Sequence, residues 1–379
     1  MLQDYFKSQQ QAMIDLIAEM ARIESPSHDK ALVDRMGAFV EGRLQRLGAD
    51  VIRLFRAEVG DILLAKWNAD APGKPILFLC HMDTVWAEGT LEHMPVYLSD
   101  EGKLHGPGTI DMKAGIAVML EAIRGLQAHE QFPNRPIWAL LTTDEETGSN
   151  YSEEAIRETA AKCGLVLVME PATPDGALKL WRKGGAAYRF HITGRASHAG
   201  GAPEQGINAL IELAQQAMRL NGMNDLKNGT SVSVTLAEGG SAANVIPAQA
   251  TLTVDTRFLT LKAMEQVQRA IEEDTIPFIP GAQVTIEPIH SRAPMENNAQ
   301  MQATFDQLKQ LGARHGITIR GEGSGGVSDG NFTSSLGIPT LDGLGPSGDG
   351  LHAAHEHVLV GTLAKRAALI AAILCEWEM

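Results

Sequence analysis

Residues 76–84 read ILFLCHMDT, five apolar side chains followed at once by a histidine and, two positions later, an aspartate. The length of the apolar run suits a strand whose two faces are both covered, rather than a helix. Similar short runs occur at 62–65, 137–142 and 165–169. Helical spacing of apolar residues lies between them, at 112–126 and 152–162. This alternation predicts an α/β fold built on a doubly wound mixed sheet.

The pattern changes near residue 180. Alternating, half-exposed strands and two amphipathic helices follow in the order β-α-β-β-α-β, at 187–193, 206–220, 231–236, 251–258, 261–271 and 283–288. That order is typical of a ferredoxin-like α+β unit, with helices on one face of an antiparallel sheet. The α/β pattern then resumes with a helix near 298–316. We therefore predict one domain formed by residues 1–179 and 291–379, with residues 180–290 inserted as a second.

Composition excludes several classes of protein. Of the 379 residues, 44% are hydrophobic and 21% are charged, as in ordinary globular proteins, and no apolar run approaches the ~18 residues of a membrane helix. The net charge of −14 disfavours nucleic acid and anionic lipid as partners. Three distant cysteines, Cys80, Cys163 and Cys375, form no disulfide framework, and we find no signal peptide. We expect a cytoplasmic protein.

Five polar clusters follow predicted strands, open a helix or lie in a glycine-rich loop: residues 81–84, 111–113, 144–146, 170–171 and 352–356. In α/β sheets, ligands bind beyond the carboxyl ends of the strands, so the side chains of these clusters are expected to converge. Histidines and carboxylates without cysteine suit zinc, cobalt or manganese, and do not suit copper(I).

Taken one at a time, these residues have simpler explanations. His81 alone fits a buried, hydrogen-bonded histidine, although Asp83 could fix its tautomer. Asp111 alone fits a helix N-cap. His355 competes with His352 as a ligand. Glu170, however, follows the apolar run LVLVM and needs a partner for its charge. Together, the clusters favour metal binding.

The sequence resembles the M20 family of metallopeptidases over nearly its whole length, most closely the glutamate carboxypeptidase branch. The segments that support this resemblance are HMDTVW (81–86), KLHGPGTIDMKAG (103–115), TTDEETGS (142–149), MEP (169–171), GRASHAGGAPEQGINAL (194–210), NVIP (244–247), DTR (255–257), GGVSDG (325–330) and GDGLHAAHE (348–356). The resemblance implies two metal ions, expected to be Zn²⁺ with Co²⁺ or Mn²⁺ possible. Asp111 would bridge them, His81 and Glu170 would complete one site, and Glu146 and His352 the other.

The resemblance also implies roles for other residues. Glu145 would be the general acid and base, and Asp83 would orient His81. The inserted domain would serve as a dimerisation or lid domain of a homodimer, with His198 reaching the site of the neighbouring subunit. Arg257, which looks unpaired in local sequence, and Asn244 would bind the substrate.

We therefore expect a zinc-dependent exopeptidase that hydrolyses the amide bond to a C-terminal amino acid, glutamate or one similar to it. An N-acyl amino acid deacylase, like acetylornithine deacetylase, is the nearest alternative, because its chemistry is identical and only the acyl pocket differs. A non-catalytic metal-binding scaffold is a third hypothesis. The presence of Glu145 beside a full set of ligand types argues against it.

Overall fold

The computed structural model describes residues 2–379. Its helices are α1 (Leu2–Ser8), α2 (Gln10–Ala21), α3 (Lys30–Arg46), α4 (Ala114–Ala128), α5 (Glu153–Ala160), α6 (Ala209–Asn221), α7 (Leu261–Glu272), α8 (Ala299–Arg314), α9 (Gly330–Ser335) and α10 (Leu363–Glu376). Its strands are β1 (Asp50–Leu54), β2 (Ile62–Trp67), β3 (Ile76–His81), β4 (Tyr97–Leu98), β5 (Lys103–His105), β6 (Ile137–Thr142), β7 (Leu165–Val168), β8 (Leu178–Arg182), β9 (Gly184–Thr193), β10 (Ser197–His198), β11 (Ser231–Gly239), β12 (Val245–Ile246), β13 (Gln249–Phe258), β14 (Gln283–Arg292), β15 (Gly321–Ser324), β16 (Thr340–Asp342), β17 (Gly348–Asp349) and β18 (His357–Leu359).

The largest sheet has the strand order β1-β2-β6-β3-β7-β16-β8-β15. Its centre is parallel, because β3 pairs in parallel with both β6 and β7, and β7 with β16. Strands β1, β2 and β8 pair antiparallel, so the sheet is mixed as predicted. Every residue of β3 and β7 is buried, which explains their uninterrupted apolar runs. The α/β prediction is confirmed.

Helix α4 packs tightly against the end of β7. A Cβ on Gly115 would lie 2.1 Å from the Met169 carbonyl oxygen, closer than any real contact. Glycine at this position therefore lets the helix backbone approach the segment that leads to Glu170. Helix α4 is also buried along most of its length, which is consistent with its almost wholly apolar sequence.

Contacts group the described residues into two compact units. The first comprises 2–180, 297–324 and 328–379, and the second 181–296 with 325–327. The second contains a four-stranded antiparallel sheet of order β11-β13-β9-β14, the strand order of a ferredoxin-like unit. Alternate residues of β13 are buried, and α6 and α7 bury apolar faces in the same core. The predicted β-α-β-β-α-β order is thus present.

None of the helices in the described part of the chain is both long and apolar enough to cross a membrane.

Candidate metal centre

Two histidines and three carboxylates meet at one edge of the large sheet. His81 is the last residue of β3. Its Nε2 lies 3.1 Å from Oδ1 of Asp111 and 3.4 Å from Oε1 of Glu170. His352 Nε2 lies 3.4 Å from Oδ2 of Asp111 and 3.1 Å from Oε2 of Glu146. The two oxygens of Asp111 therefore face different histidines, and Asp111 lies between two clusters.

The sheet topology explains this convergence. The parallel strands β3, β6 and β7 end at the same edge, and His81, Glu146 and Glu170 lie at or just after those ends. Asp111 lies in a tight turn, residues 109–113, directly before α4. His352 lies in the loop between β17 and β18 with a φ of +59°. The five residues that the sequence predicts to converge thus lie together. His355, in the same loop as His352, is exposed and has no ion pair among residues 2–379.

Glu145 is adjacent to the same cluster. One oxygen of Glu145, a ring nitrogen of His81 and an oxygen of Glu170 all lie within 4.8 Å of one another. The same limit holds for ligand atoms of His81, Asp111 and Glu146. Glu145 and Glu146 belong to one short 3-10 turn after β6, and point to different parts of the site.

Asp83 holds that turn in place. It is buried, and its carboxylate accepts hydrogen bonds from the backbone N–H groups of Glu145 and Glu146 at 3.3 and 3.2 Å. It also accepts a hydrogen bond of 2.7 Å from the Ser27 hydroxyl, and its Oδ1 lies 3.4 Å from Nδ1 of His81. Asp83 therefore connects His81 to both glutamates, while Ser27 is a partner that the sequence did not reveal.

Glu356 is a second residue whose role the sequence analysis missed. It precedes β18, whose pairing with β5 brings it next to the segment that leads to Asp111. Its buried carboxylate accepts hydrogen bonds from the backbone N–H groups of Gly108, Ile110 and Asp111 at 3.0, 3.0 and 3.3 Å. The indole N–H of Trp86 donates a fourth at 2.6 Å. The only sequence signal was its place in the motif GDGLHAAHE.

Asp144, the first of the three adjacent acids, has a different environment. It is buried and accepts hydrogen bonds from the Tyr151 backbone N–H at 2.7 Å and from the hydroxyl of Ser152. These bonds attach it to the segment that leads into α5. Asp144 therefore stabilises the loop, and its two neighbours supply the site.

The electrostatics of the cluster favour positive charge. Burial opposes a charged imidazole at His81, but its hydrogen bonds to Asp111, Asp83 and Glu170 raise its pKa well above the ordinary value. Hydrogen bonds to Asp111 and Glu146 raise the pKa of His352 to about 10. Burial and the nearby charge of Asp111 raise the pKa of Glu146, although His352 opposes them.

The donor set fits a divalent metal. Oε1 of Glu146 is buried and has no hydrogen-bond partner among residues 2–379, which is costly for a carboxylate oxygen unless a cation lies beside it. Imidazole nitrogens and carboxylate oxygens suit zinc and similar ions. The residues present therefore satisfy the requirements of a metal centre.

The other predicted residues lie in the second unit. His198 is exposed, and its Nδ1 accepts hydrogen bonds from the backbone N–H groups of Gly200 and Gly201 at 3.1 and 2.9 Å. The neutral ring therefore carries its proton on Nε2, which is free to donate. Asn244 is exposed, and its backbone carbonyl oxygen accepts a hydrogen bond from the Ala199 N–H at 2.9 Å.

Arg257 differs from the sequence expectation. It is not unpaired, because its Nε and Nη2 donate to the two oxygens of Asp255 at 2.9 Å each. Residues two apart on a strand share a face, which explains the contact.

Comparison with known proteins agrees with this geometry. Residues 77–376 match the model of peptidase family M20/M25/M40. The chain is 31% identical to carboxypeptidase G2 of Pseudomonas sp. (strain RS-16) over 97% of its own length and 90% of that protein. It is 29% identical to the succinyl-diaminopimelate desuccinylase of Halorhodospira halophila, over 78% and 82% of the two chains.

The fold is also similar to that of a solved relative. The aminopeptidase PepT of Bacillus cereus superimposes with a TM-score of 0.80 at 24% identity, covering 97% of this chain and 98% of the other. A family match over most of the chain and the fold thus agree with the cluster of histidines and carboxylates. This chain belongs to peptidase family M20, and it is a metal-dependent hydrolytic enzyme.

Proposed function

We propose that the protein is a binuclear zinc exopeptidase that hydrolyses the amide bond to a C-terminal amino acid, with glutamate or a similar residue as the product. The observation that supports two metals is the position of Asp111, whose two oxygens face His81 and His352 separately. His81, Asp111 and Glu170 would hold one ion. Asp111, Glu146 and His352 would hold the other.

A pair of divalent ions, when bound, supplies an acidified water and polarises the scissile carbonyl group. Glu145 then has the proton-transfer role. Its carboxylate is near His81 and Glu170, so it can take the proton of the attacking water and return it to the leaving amine nitrogen. Asp83 keeps this base in position, because it binds the backbone of Glu145 and the ring of His81 together.

Two observations support the proposed preference for a substrate with a C-terminal carboxylate. One is the likeness to carboxypeptidase G2 across almost the whole chain. The other is Arg257, whose planar guanidinium can bind a carboxylate through two hydrogen bonds. Asp255 occupies that fork, so a substrate carboxylate would have to replace it. Asn244 would add hydrogen bonds to the same substrate.

We also propose that the second unit forms a homodimer and supplies His198 to the site of the partner subunit. Strand β11 is an edge strand, and its Val234 and Leu236 are exposed. Helix α6 exposes Ile211 and Met218. Unpaired strand edges and exposed apolar side chains are features of association surfaces.

A substrate panel measured with and without chelator tests this function. Dipeptides and N-acyl amino acids that end in glutamate should be hydrolysed, activity should disappear on chelation, and zinc should restore it. Elemental analysis after saturation should give two metals per chain. Hydrolysis that follows the acyl group rather than the terminal residue would favour a deacylase, an alternative supported by the likeness to the desuccinylase. A stoichiometry that never exceeds one metal would refute the binuclear centre.

A further inference from the structure

Arg366, in the first turn of α10, is a buried cation. Arg366 is 7% exposed, and its Nη2 donates a hydrogen bond of 2.8 Å to the Gly176 carbonyl oxygen. Arg366 has no ion pair among residues 2–379, and burial alone lowers its pKa to about 10. It remains charged at neutral pH. A guanidinium has five N–H donors, so a single carbonyl acceptor leaves most of them without a protein partner.

A cavity of about 260 Å³ adjoins this side chain. It is lined by Arg366 together with Asp175, Arg320, Ser347, Thr362 and Lys365. Asp175 is the one carboxylate in the lining, and Arg320 neutralises it through a contact of 2.7 Å. Arg366 and Lys365 therefore leave the cavity with an excess of two positive charges, in a chain whose net charge is −14.

The position of the two cations on α10 is also unfavourable by itself. The N-terminal end of a helix has a partial positive charge, so acidic residues are favoured there and basic ones are not. The first turn of α10 contains no acidic residue, yet it contains Lys365 and Arg366. An anion in the cavity would satisfy both cations and the helix terminus together.

We propose that this cavity is a binding site for a small oxyanion, a phosphate or carboxylate group, held by Arg366 and Lys365 with the hydroxyl of Ser347. The planar guanidinium suits two oxygens of such a group, and the Ser347 hydroxyl can donate to a third. Thr362 also lines the cavity, but its hydroxyl donates to the Leu359 carbonyl oxygen at 2.7 Å. At ~30 Å³ for each water, the volume also leaves room for several waters around the anion. This site lies within the first unit, and it does not depend on the peptidase function proposed above.

The site joins two segments that lead to the metal centre. Gly176 belongs to the segment that follows Glu170, and Ser347 to the segment that precedes His352. Two backbone hydrogen bonds also join these segments directly. The Gly345 N–H donates to the Glu170 carbonyl oxygen at 2.9 Å, and the Ala172 N–H donates to the Pro346 carbonyl oxygen at 3.2 Å. An anion between them would stabilise the native arrangement of both.

Thermal unfolding of the metal-loaded protein, with potassium phosphate replacing potassium chloride at constant ionic strength, tests this site. The melting temperature should rise with the logarithm of phosphate concentration above Kd, by about 3 °C at 100 times Kd. Arg366→Met should abolish the rise, and Lys365→Ser, at an exposed position, should lower the phosphate affinity derived from it at least several-fold. Arg135→Met is the matched control, because Arg135 also donates to one backbone carbonyl, that of Trp377, and lies outside the cavity. Acetate and sulfate arms distinguish carboxylate from tetrahedral oxyanions.

Phosphate could also bind at the metal centre, so the titration is repeated on chelated protein. A rise in melting temperature that survives chelation and is lost with Arg366→Met supports the site. The absence of a rise in melting temperature with phosphate, acetate and sulfate would overturn it. A response that persists unchanged in both Arg366→Met and Lys365→Ser would also overturn it. If Arg366→Met does not fold, the Lys365→Ser comparison and the anomalous signal of soaked arsenate at the cavity decide the question.

Discussion

Replacing Glu356 by glutamine should weaken the metal centre, although Glu356 contacts no proposed ligand side chain. Its two oxygens accept four hydrogen bonds, three of them from the backbone that leads to and includes Asp111. Glutamine keeps one oxygen, so about two of the four bonds remain and an NH₂ group faces the other donors. A hydrogen bond to a charged group is worth about 1.5–3 kcal/mol, so two such bonds are worth about 3–6 kcal/mol. Because the neutral amide recovers some desolvation cost, we expect the lower end, about 3 kcal/mol.

Glu212→Gln is a matched control for this experiment. Glu212 is fully buried in the second unit, and its carboxylate accepts hydrogen bonds from the backbone N–H groups of Phe278 and Ile279 and from Gln216. Its replacement should cost comparable unfolding free energy, since it removes the same kind of charge-assisted bonds. It should leave the metal centre unchanged, because none of its partners belongs to that centre.

The assay combines denaturant unfolding of the chelated proteins with zinc competition against a chromophoric chelator. Both variants should unfold at lower denaturant concentration. Glu356→Gln alone should lose metal affinity, by about 10–100-fold, the range found when supporting hydrogen bonds of metal sites are removed. If Glu356→Gln lost stability but bound zinc as tightly as the parent protein, the proposed coupling between Glu356 and Asp111 would be wrong.

Three further predictions follow from the site and its supports. Glu145→Gln should lower kcat by ~10²–10⁴-fold, while elemental analysis shows unchanged metal content. The control Glu153→Gln on α5 should leave kcat unaltered. If Glu145→Gln had the same kcat as the parent protein, another residue would be the base. Gly115→Ala should destabilise the protein by about 1–3 kcal/mol in denaturant unfolding, because its Cβ would lie 2.1 Å from the Met169 carbonyl oxygen. Gly361→Ala is the control, because a Cβ there would have nothing within 4 Å. Equal stability of the two variants would contradict this packing. Inactive Glu145→Gln and His198→Ala chains should recover activity when their subunits exchange; confirmed heterodimers without activity, or a strictly monomeric protein, would exclude donation by His198 to a partner subunit.

Buried strands were predictable because their surroundings determine their composition. Strands β3 and β7 are covered on both faces, so only apolar residues are tolerated there, and the run itself is the signal. Strand β1 was missed for the opposite reason. It is an edge strand with mostly exposed residues, and its sequence DVIRL has no period that distinguishes it from a loop. Pairing with β2, rather than composition, defines it.

Hydrogen bonds between distant residues limited the prediction of the site. The five proposed ligands occur in motifs that the chain displays locally. Glu356 acts on backbone groups 245 to 248 positions earlier, and Ser27 on an aspartate 56 positions later, so no local pattern indicates either bond. The pair between Asp255 and Arg257 is different, because their spacing along a strand already places both side chains on one face. That contact could have been predicted.

The different environments of Glu145 and Glu146 depend on tertiary structure as well. The two residues are adjacent and chemically identical, so the sequence cannot distinguish a ligand from a base except by resemblance. In the structure Glu146 is 3.1 Å from His352, whereas Glu145 is near His81 and Glu170. A single turn directs them apart, and Asp83 fixes that turn by accepting both of their backbone N–H groups. The same Asp83 contacts the His81 ring. Ligand geometry and the position of the proposed base are therefore coupled through one buried carboxylate.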